Sequence, residues 1–283
     1  MSSVKAIKGM NEEIHQGRAR SERIESRKNA RFKQFKALLR KSEAKKTDRI
    51  LIEGTRLCSD ALSSGVAIEA VLLSDSAYEF AIDWLSFLPD DVPCFILTDE
   101  LFAQLSDTKN PQGIALICKA PVQKGPRSPA RVGGLYLAAD GMADPGNLGT
   151  LIRTADAFSF DAVLLTAGTV WPANPKVIRA SMGSCFHLPI ILFDEVKDLV
   201  DYLAPAGIPL YAADPKGSLL IENLPPGGGA LLVGNEAHGL SEEARKSAAF
   251  LVSIPMPGRA ESLNAAVAAS ICAYEMMKAN RLN

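Results

Sequence analysis

Residues 134–283 repeat one rhythm, a short apolar run followed by a helical stretch, and this most narrows the folds open to the chain. The runs are GLYLAAD (134–140), AVLLTA (162–167), LPIILF (188–193), PLYAAD (209–214), ALLVG (230–234) and FLVSIP (250–255). Helical spacing falls near 147–158, 175–183, 195–204, 241–248 and 262–280. Runs this apolar present no polar face to water, and each is followed by enough chain for a crossover helix. The pattern predicts an α/β domain built on a mostly parallel sheet buried on both faces.

A smaller series comes first. RILIEG (49–54), EAVLL (69–73), PCFIL (93–97) and GIALIC (113–118) read as strands, with helices near 55–64 and 77–88 and a short one begun by Asp99 as N-cap candidate. Phe32, Phe35, Leu38 and Leu39 recur at helical spacing with basic residues on the other face, so an amphipathic helix opens this unit. Residues 1–30 have few apolar positions and are expected to form a basic flexible arm or a loosely held helix. KAPVQKGPRSPARVGG (119–134) is rich in Pro, Gly and basic residues without apolar periodicity, as linkers are. The expected division is an arm at 1–30, a small α/β domain at 31–120, a linker at 121–133 and the larger α/β domain at 134–283.

The formal charge of −1 hides an asymmetry. Residues 1–50 carry 15 Lys/Arg and 6 Asp/Glu, a net +9, and the rest carry 16 and 26, a net −10. A polyanion held at the N-terminal end is one reading, and a solvated basic tail is the other. The polar N-terminus has no apolar h-region and no apolar run is long enough for a bilayer, so neither a secretory signal nor a membrane partner is expected. Five scattered cysteines without a C-x-x-C pair predict reduced thiols in a cytoplasmic protein and no metal site.

Three segments at strand ends could carry chemistry. In DGMADPGNLGTLIRTADAF (140–158), Gly141 and Gly146 have P-loop spacing, but Asn147 and Leu148 stand where Lys and Ser/Thr belong. A nucleoside triphosphatase is therefore disfavoured, and the absence of G-x-G-x-x-G disfavours a nicotinamide-dependent dehydrogenase. A tight strand-to-helix turn would explain Pro145 and Gly146, but not Arg153 amid Leu148, Leu151, Ile152 and Ala155, where a charge needs a partner or an anionic ligand. In LLVGNEAHGLS (231–241), Ser241 with Glu242 and Glu243 suits a helix N-terminus, while Glu236 sits at the strand end where open α/β sheets place ligands. His238 reads more readily as a loop residue than as an acid or base. In IPMPGRAESLNAAVAASICAYEM (254–276), Pro255, Pro257 and Gly258 force an irregular loop into a helix apolar on nearly every side, expected to be buried all round. Ser262 and Asn264 are the polar residues at its start, either as caps or as substrate ligands.

Together, in this order and near these spacings, the three segments resemble the three motifs of the SpoU (TrmH-like) RNA 2′-O-ribose methyltransferases of the SPOUT superfamily. Asn147 and Arg153 in NLGTLIRTA match the first motif, Gly234-Asn235-Glu236 with Gly239-Leu240-Ser241 the second, and Ile254-Pro255-Met256 with Ser262-Leu263-Asn264 the third. Thr150 stands where the family often has alanine, and Ala237 where glycine is usual. The match covers about 134–283; ILIEGTRLCSDALSSG (50–65) more weakly resembles a substrate-binding domain attached to this family and shared with certain ribosomal proteins.

The resemblance implies a SPOUT domain whose mostly parallel sheet ends in a trefoil knot, a smaller N-terminal α/β substrate-binding domain, and a homodimer with the active site near the subunit boundary. It implies S-adenosyl-L-methionine held by Gly234, Ile254 and Leu263, and catalysis by Arg153, Asn147, Glu236, Ser262 and Asn264. Arg153 is the family's proposed base, yet a guanidinium titrates above about 12, so holding phosphate and stabilising developing alkoxide is the role favoured here. Asn147 would position the ribose or Arg153; Glu236, Ser262 and Asn264 would order loops and bind substrate. The expected substrate is ribosomal RNA, with transfer RNA, an inactive RNA-binding protein and a base-nitrogen methyltransferase as alternatives.

Overall fold

The computed structural model describes residues 21–281, apart from 79, 82–87, 89–90, 107 and 109. The chain divides into two compact units between Ala120 and Pro121.

The first unit is a five-stranded mixed sheet in the order β1-β4-β3-β5-β2, formed by β1 (Ser21–Ile24), β2 (Arg49–Glu53), β3 (Ile68–Ser74), β4 (Cys94–Leu97) and β5 (Ile114–Lys119). Its helices are α1 (Ala30–Ala37), α2 (Lys41–Thr47), α3 (Thr55–Ser63), α4 (Asp75–Tyr78) and α5 (Asp99–Ala103). Segment 1–30 differs from expectation wherever it is described. Ser21–Ile24 pairs in parallel with Cys94–Leu97, and Ile24 is fully buried with Phe32, Phe35, Phe95 and Phe102. One apolar residue anchors an otherwise polar edge strand. Residues 1–20 of the expected arm, and most of the helix expected near 77–88, lie outside the described residues. The N-cap of α5 is Thr98, whose side chain accepts from the Leu101 N–H, with Asp99 inside the first turn.

The second unit is an eight-stranded, all-parallel sheet in the order β11-β13-β10-β12-β7-β8-β9-β6. Its strands are β6 (Gln123–Lys124), β7 (Leu135–Ala139), β8 (Ala162–Leu165), β9 (Ile190–Leu192), β10 (Leu210–Ala213), β11 (Leu219–Leu220), β12 (Gly229–Val233) and β13 (Phe250–Ser253). Its helices are α6 (Pro145–Ala157), α7 (Pro175–Ser181), α8 (Val196–Leu203), α9 (Glu242–Ser247) and α10 (Ala265–Arg281). Every residue of β7, β8 and β12 is buried, as two-sided coverage demands. The segment read as a linker is built into this unit: Gln123–Lys124 pairs with β9, Ala130 is buried, and Arg131 forms a bidentate pair with Asp161 at 2.6 and 2.8 Å.

Helix α6 begins at Pro145, with Asp144 accepting from the Asn147 N–H as N-cap. Gly149 lets it meet α7, for a Cβ there would lie 2.4 Å from the Ala180 Cβ. Helix α10 is not buried all round within one chain. Ala266, Ala269, Cys272, Ala273 and Met276 are buried, while Val267, Ile271 and Tyr274 lie 48%, 38% and 46% exposed along one stripe. All five cysteines are buried. Among the described residues, no helix is long and apolar enough to cross a membrane, and no group of three or more His, Cys, Asp or Glu could hold a metal ion.

Candidate active site

Parallel strands deliver their C-terminal ends, and the loops that follow, to one edge of the sheet, where ligands of such folds bind. Here the ends of β10, β12 and β13 and the start of α10 enclose a cavity of about 320 Å³. Val233, Leu240, Val252, Ile254, Met256 and Leu263 give it apolar walls. Gly234 makes the approach possible, because a Cβ at this position would lie 2.3 Å from the Gly239 carbonyl carbon. Gly239 itself holds φ +69° to turn the loop back, and Asn235 and Gly239 exchange backbone hydrogen bonds of 2.9 and 2.8 Å. The Asn235 side chain accepts from the Ala237 and His238 N–H groups and donates to the Gly141 carbonyl at 2.7 Å.

The rim joins the three segments. Glu236 accepts from the Ala143 N–H at 3.0 Å, the Asp144 N–H at 3.1 Å and the Asn147 Nδ2 at 2.9 Å. The Asn147 Oδ1 in turn accepts from the Asn264 Nδ2 at 3.0 Å. Asn264 also caps α10, its Oδ1 accepting from the Ala266 and Val267 N–H groups, so that helix starts at Ala265 and not at Ser262. Partial desolvation raises the pKa of Glu236, but the bonds from Asn147, Ala143 and Asp144 outweigh it and hold the carboxyl below its ordinary value. An ionised acceptor therefore pins the start of α6 to the strand-end loop, and two amides carry the link to α10.

Of the residues singled out in the sequence, Gly234, Ile254, Leu263, Glu236, Ser262 and Asn264 line the cavity, and Asn147 joins it through Glu236 and Asn264. Arg153 does not. It lies on the exposed face of α6 with Gly146, Thr150 and Ala157, outside the cavity wall, and makes no hydrogen bond or ion pair among the described residues. The charge is therefore not placed amid the apolar residues of its helix: Leu148, Leu151, Ile152 and Ala155 are buried on the opposite side, and Arg153 stays open to an anionic ligand. His238 is exposed in the turn.

Sequence reasoning missed Asp214. Its side chain is 4% exposed, lines the cavity, accepts from the Lys216 N–H at 2.8 Å and forms an ion pair with Arg245 of α9. The available signal was an acidic residue closing PLYAAD at the end of a buried strand. Cys272 also lines the cavity, and burial pushes its thiol up to about 12, so it is a neutral apolar wall.

A parallel α/β unit with a glycine-formed strand-end cavity and three loops tied by one carboxylate and two amides is the arrangement of a SPOUT-type methyltransferase. The chain belongs to the SpoU family: residues 134–274 match the model of the SpoU rRNA Methylase family, and residues 29–116 match that of an MRM3-like substrate binding domain. It is 37% identical to the 23S rRNA (guanosine(2553)-2′-O)-methyltransferase RlmP of Bacillus subtilis, over 89% of this chain and 98% of that protein. It is 33% identical to a 23S rRNA (uridine(2479)-2′-O)-methyltransferase of Streptomyces viridochromogenes, over 90% and 92%. The crystal structure of the SpoU methyltransferase AviRb from the same organism, in complex with AdoMet, superposes with a TM-score of 0.81 at 30% identity, covering 89% of this chain and 98% of that one.

Proposed function

We infer that this protein is an S-adenosyl-L-methionine-dependent RNA (ribose-2′-O)-methyltransferase acting on ribosomal RNA. The observation that carries the reading is the bonded chain Glu236–Asn147–Asn264, which closes three separate loops around one cavity. The cavity fits the cofactor: apolar walls suit an adenosyl group, and the lack of a side chain at Gly234 lets the Gly239–Leu240 backbone close against the strand end and shape the cavity's edge. Gly234, Ile254 and Leu263 are assigned to cofactor contact.

S-adenosyl-L-methionine supplies an electrophilic methyl group. The chain must hold a ribose hydroxyl in line with it and lower the cost of the charge that develops on that oxygen. Glu236 keeps Asn147 oriented, and Asn147 and Asn264 fix the rim against which the ribose lies. Ser262, exposed at the cavity mouth, is a hydroxyl available to the substrate. Arg153 is assigned to the phosphate beside the target ribose, as a planar, permanently charged fork.

A two-fold homodimer belongs to the same reading. The exposed stripe Val267, Ile271 and Tyr274 runs along α10, which contacts α6 through Thr154–Ser270 at 2.8 Å and Phe158–Tyr274. An apolar face of that kind is suited to a second copy, which would place the site near the subunit boundary and give Arg153 a surface to meet. The trefoil knot implied by the family belongs to the same reading, with α10 packed back on β12 and β7 after β13. A cytoplasmic location suits a reduced, RNA-modifying enzyme.

The test is titration calorimetry with the cofactor, followed by transfer of labelled methyl to protein-free ribosomal RNA and, separately, to transfer RNA. Label in ribosomal RNA supports the reading. Label confined to transfer RNA would move the substrate, and cofactor binding without transfer to either would indicate an inactive RNA-binding protein.

A further inference from the structure

The first unit carries a second concavity, of about 660 Å³, between α1, α2 and the sheet. Arg31, Lys33, Arg40 and Arg49 line it against Glu43 and Glu69. Arg31 pairs with Glu22 at 3.0 Å and lies 5.2 Å from the centre of the Phe95 ring, and Arg49 pairs with Glu69 at 2.6 Å. Lys33 and Arg40 are exposed and carry no ion pair among the described residues. The surrounding stretch 30–49 holds eight Lys/Arg and two Asp/Glu. Aromatic rings lie at the floor: Phe35 and Phe95 meet edge to face at 5.1 Å, but they are only 6% and 3% exposed. A ring that recognises an unpaired base must offer its face, and these do not. What the groove presents is cations on long stems around a concave wall, without a stacking platform.

We propose that this groove docks the sugar–phosphate backbone of the substrate RNA, independently of its sequence. The proposal rests on the RNA reading above. Phosphate contacts set register and orientation without reading bases, which is the task left to a unit that contains none of the three motif segments. Arg31 and Arg49, already held by acids, shape the wall; Lys33 and Arg40 are the cations free to exchange their counterions for phosphate.

The test uses the full chain carrying Lys33→Glu and Arg40→Glu together. Both side chains are exposed, so thermal unfolding should be unchanged, and Lys33→Arg with Arg40→Lys serves as the charge-preserving control. For protein-free ribosomal RNA, KM should rise about tenfold or more while kcat stays within about twofold, since the cavity is untouched. Binding of a short RNA duplex of arbitrary sequence should lose about 1.8 from its log–log salt slope, at about 0.9 for each of two phosphates. The control variant should keep both. An unchanged KM and slope would overturn the proposal, as would an equal loss in the charge-preserving control. Duplex binding needs no methyl transfer, so a wild-type protein that binds duplex through these residues yet methylates no RNA would sink the functional reading and leave the groove standing.

Discussion

Arg153 and Asn147 stand six residues apart on one helix and meet different surroundings. Asn147 is held on both sides, by Glu236 and by Asn264, whereas Arg153 projects into solvent. Nothing in the fold needs Arg153, so Arg153→Ala should leave stability and cofactor affinity near wild type and lower kcat by about 10²–10³-fold, as loss of one charge-stabilising donor does. Arg153→Lys should lose most of that activity too, because a point charge lacks the bidentate fork. Activity within a few-fold of wild type in either variant would remove Arg153 from the reaction. Glu236 is expected to show itself in pH dependence. Its carboxyl lies below the ordinary value, so the folded chain binds that proton less readily than the unfolded one. The resulting stabilisation is complete above the ordinary carboxylate range, about pH 4.3, and is lost as pH falls through the depressed value. Unfolding midpoints of wild type and Glu236→Gln, followed from neutral to acid pH, should therefore converge at low pH; a constant difference would contradict the assignment. Gly234→Ala should weaken cofactor binding sharply, since its methyl would press on the Gly239 backbone, and calorimetry reads the loss directly. Most of these residues were legible in the sequence because strand-end loops announced themselves by Gly, Pro and Asn. Asp214 was not, for a carboxylate after a strand looks the same whether it faces solvent or a cavity.

At the scale of elements, the buried strands were readable and the edges were not. LYLAA, AVLL and GALLV sit at the middle of the sheet and are apolar throughout. SERI and QK pair at or near sheet edges, where a single neighbour and water satisfy the backbone, so they need little apolar content. Helix α10 taught a related lesson. Its composition suggested burial on every side, but one chain covers only the Ala266–Ala269–Cys272–Ala273–Met276 face. Ala269 is fully buried within its own chain, so a charge there would test folding and not assembly. The informative change is Val267→Asp with Ile271→Asp, on the exposed stripe. Sedimentation should show monomers that retain a cooperative unfolding transition, with methyl transfer strongly reduced. A variant that stays dimeric, or a wild type that is active as a monomer, would contradict the assembly proposed here.

For the molecule as a whole, two units divide the chemistry from the charge. The three motif segments lie within 140–276, and the basic excess lies before residue 50. Deleting residues 1–45 is no test of that division. It would remove β1, α1 and the core residues Ile24, Phe32 and Phe35, so surface substitutions are the sound choice. On the proposed function, the cavity at the strand ends delivers a methyl group to a ribose oxygen. The most direct measurement is to incubate purified protein with isotopically labelled S-adenosyl-L-methionine and protein-free ribosomal RNA, digest the product to nucleosides and locate the label by mass spectrometry. Label is expected on the 2′-oxygen of a single nucleotide, and Arg153→Ala should slow its appearance about 10²–10³-fold. Label on a base, or an Arg153→Ala rate within a few-fold of wild type, would contradict it.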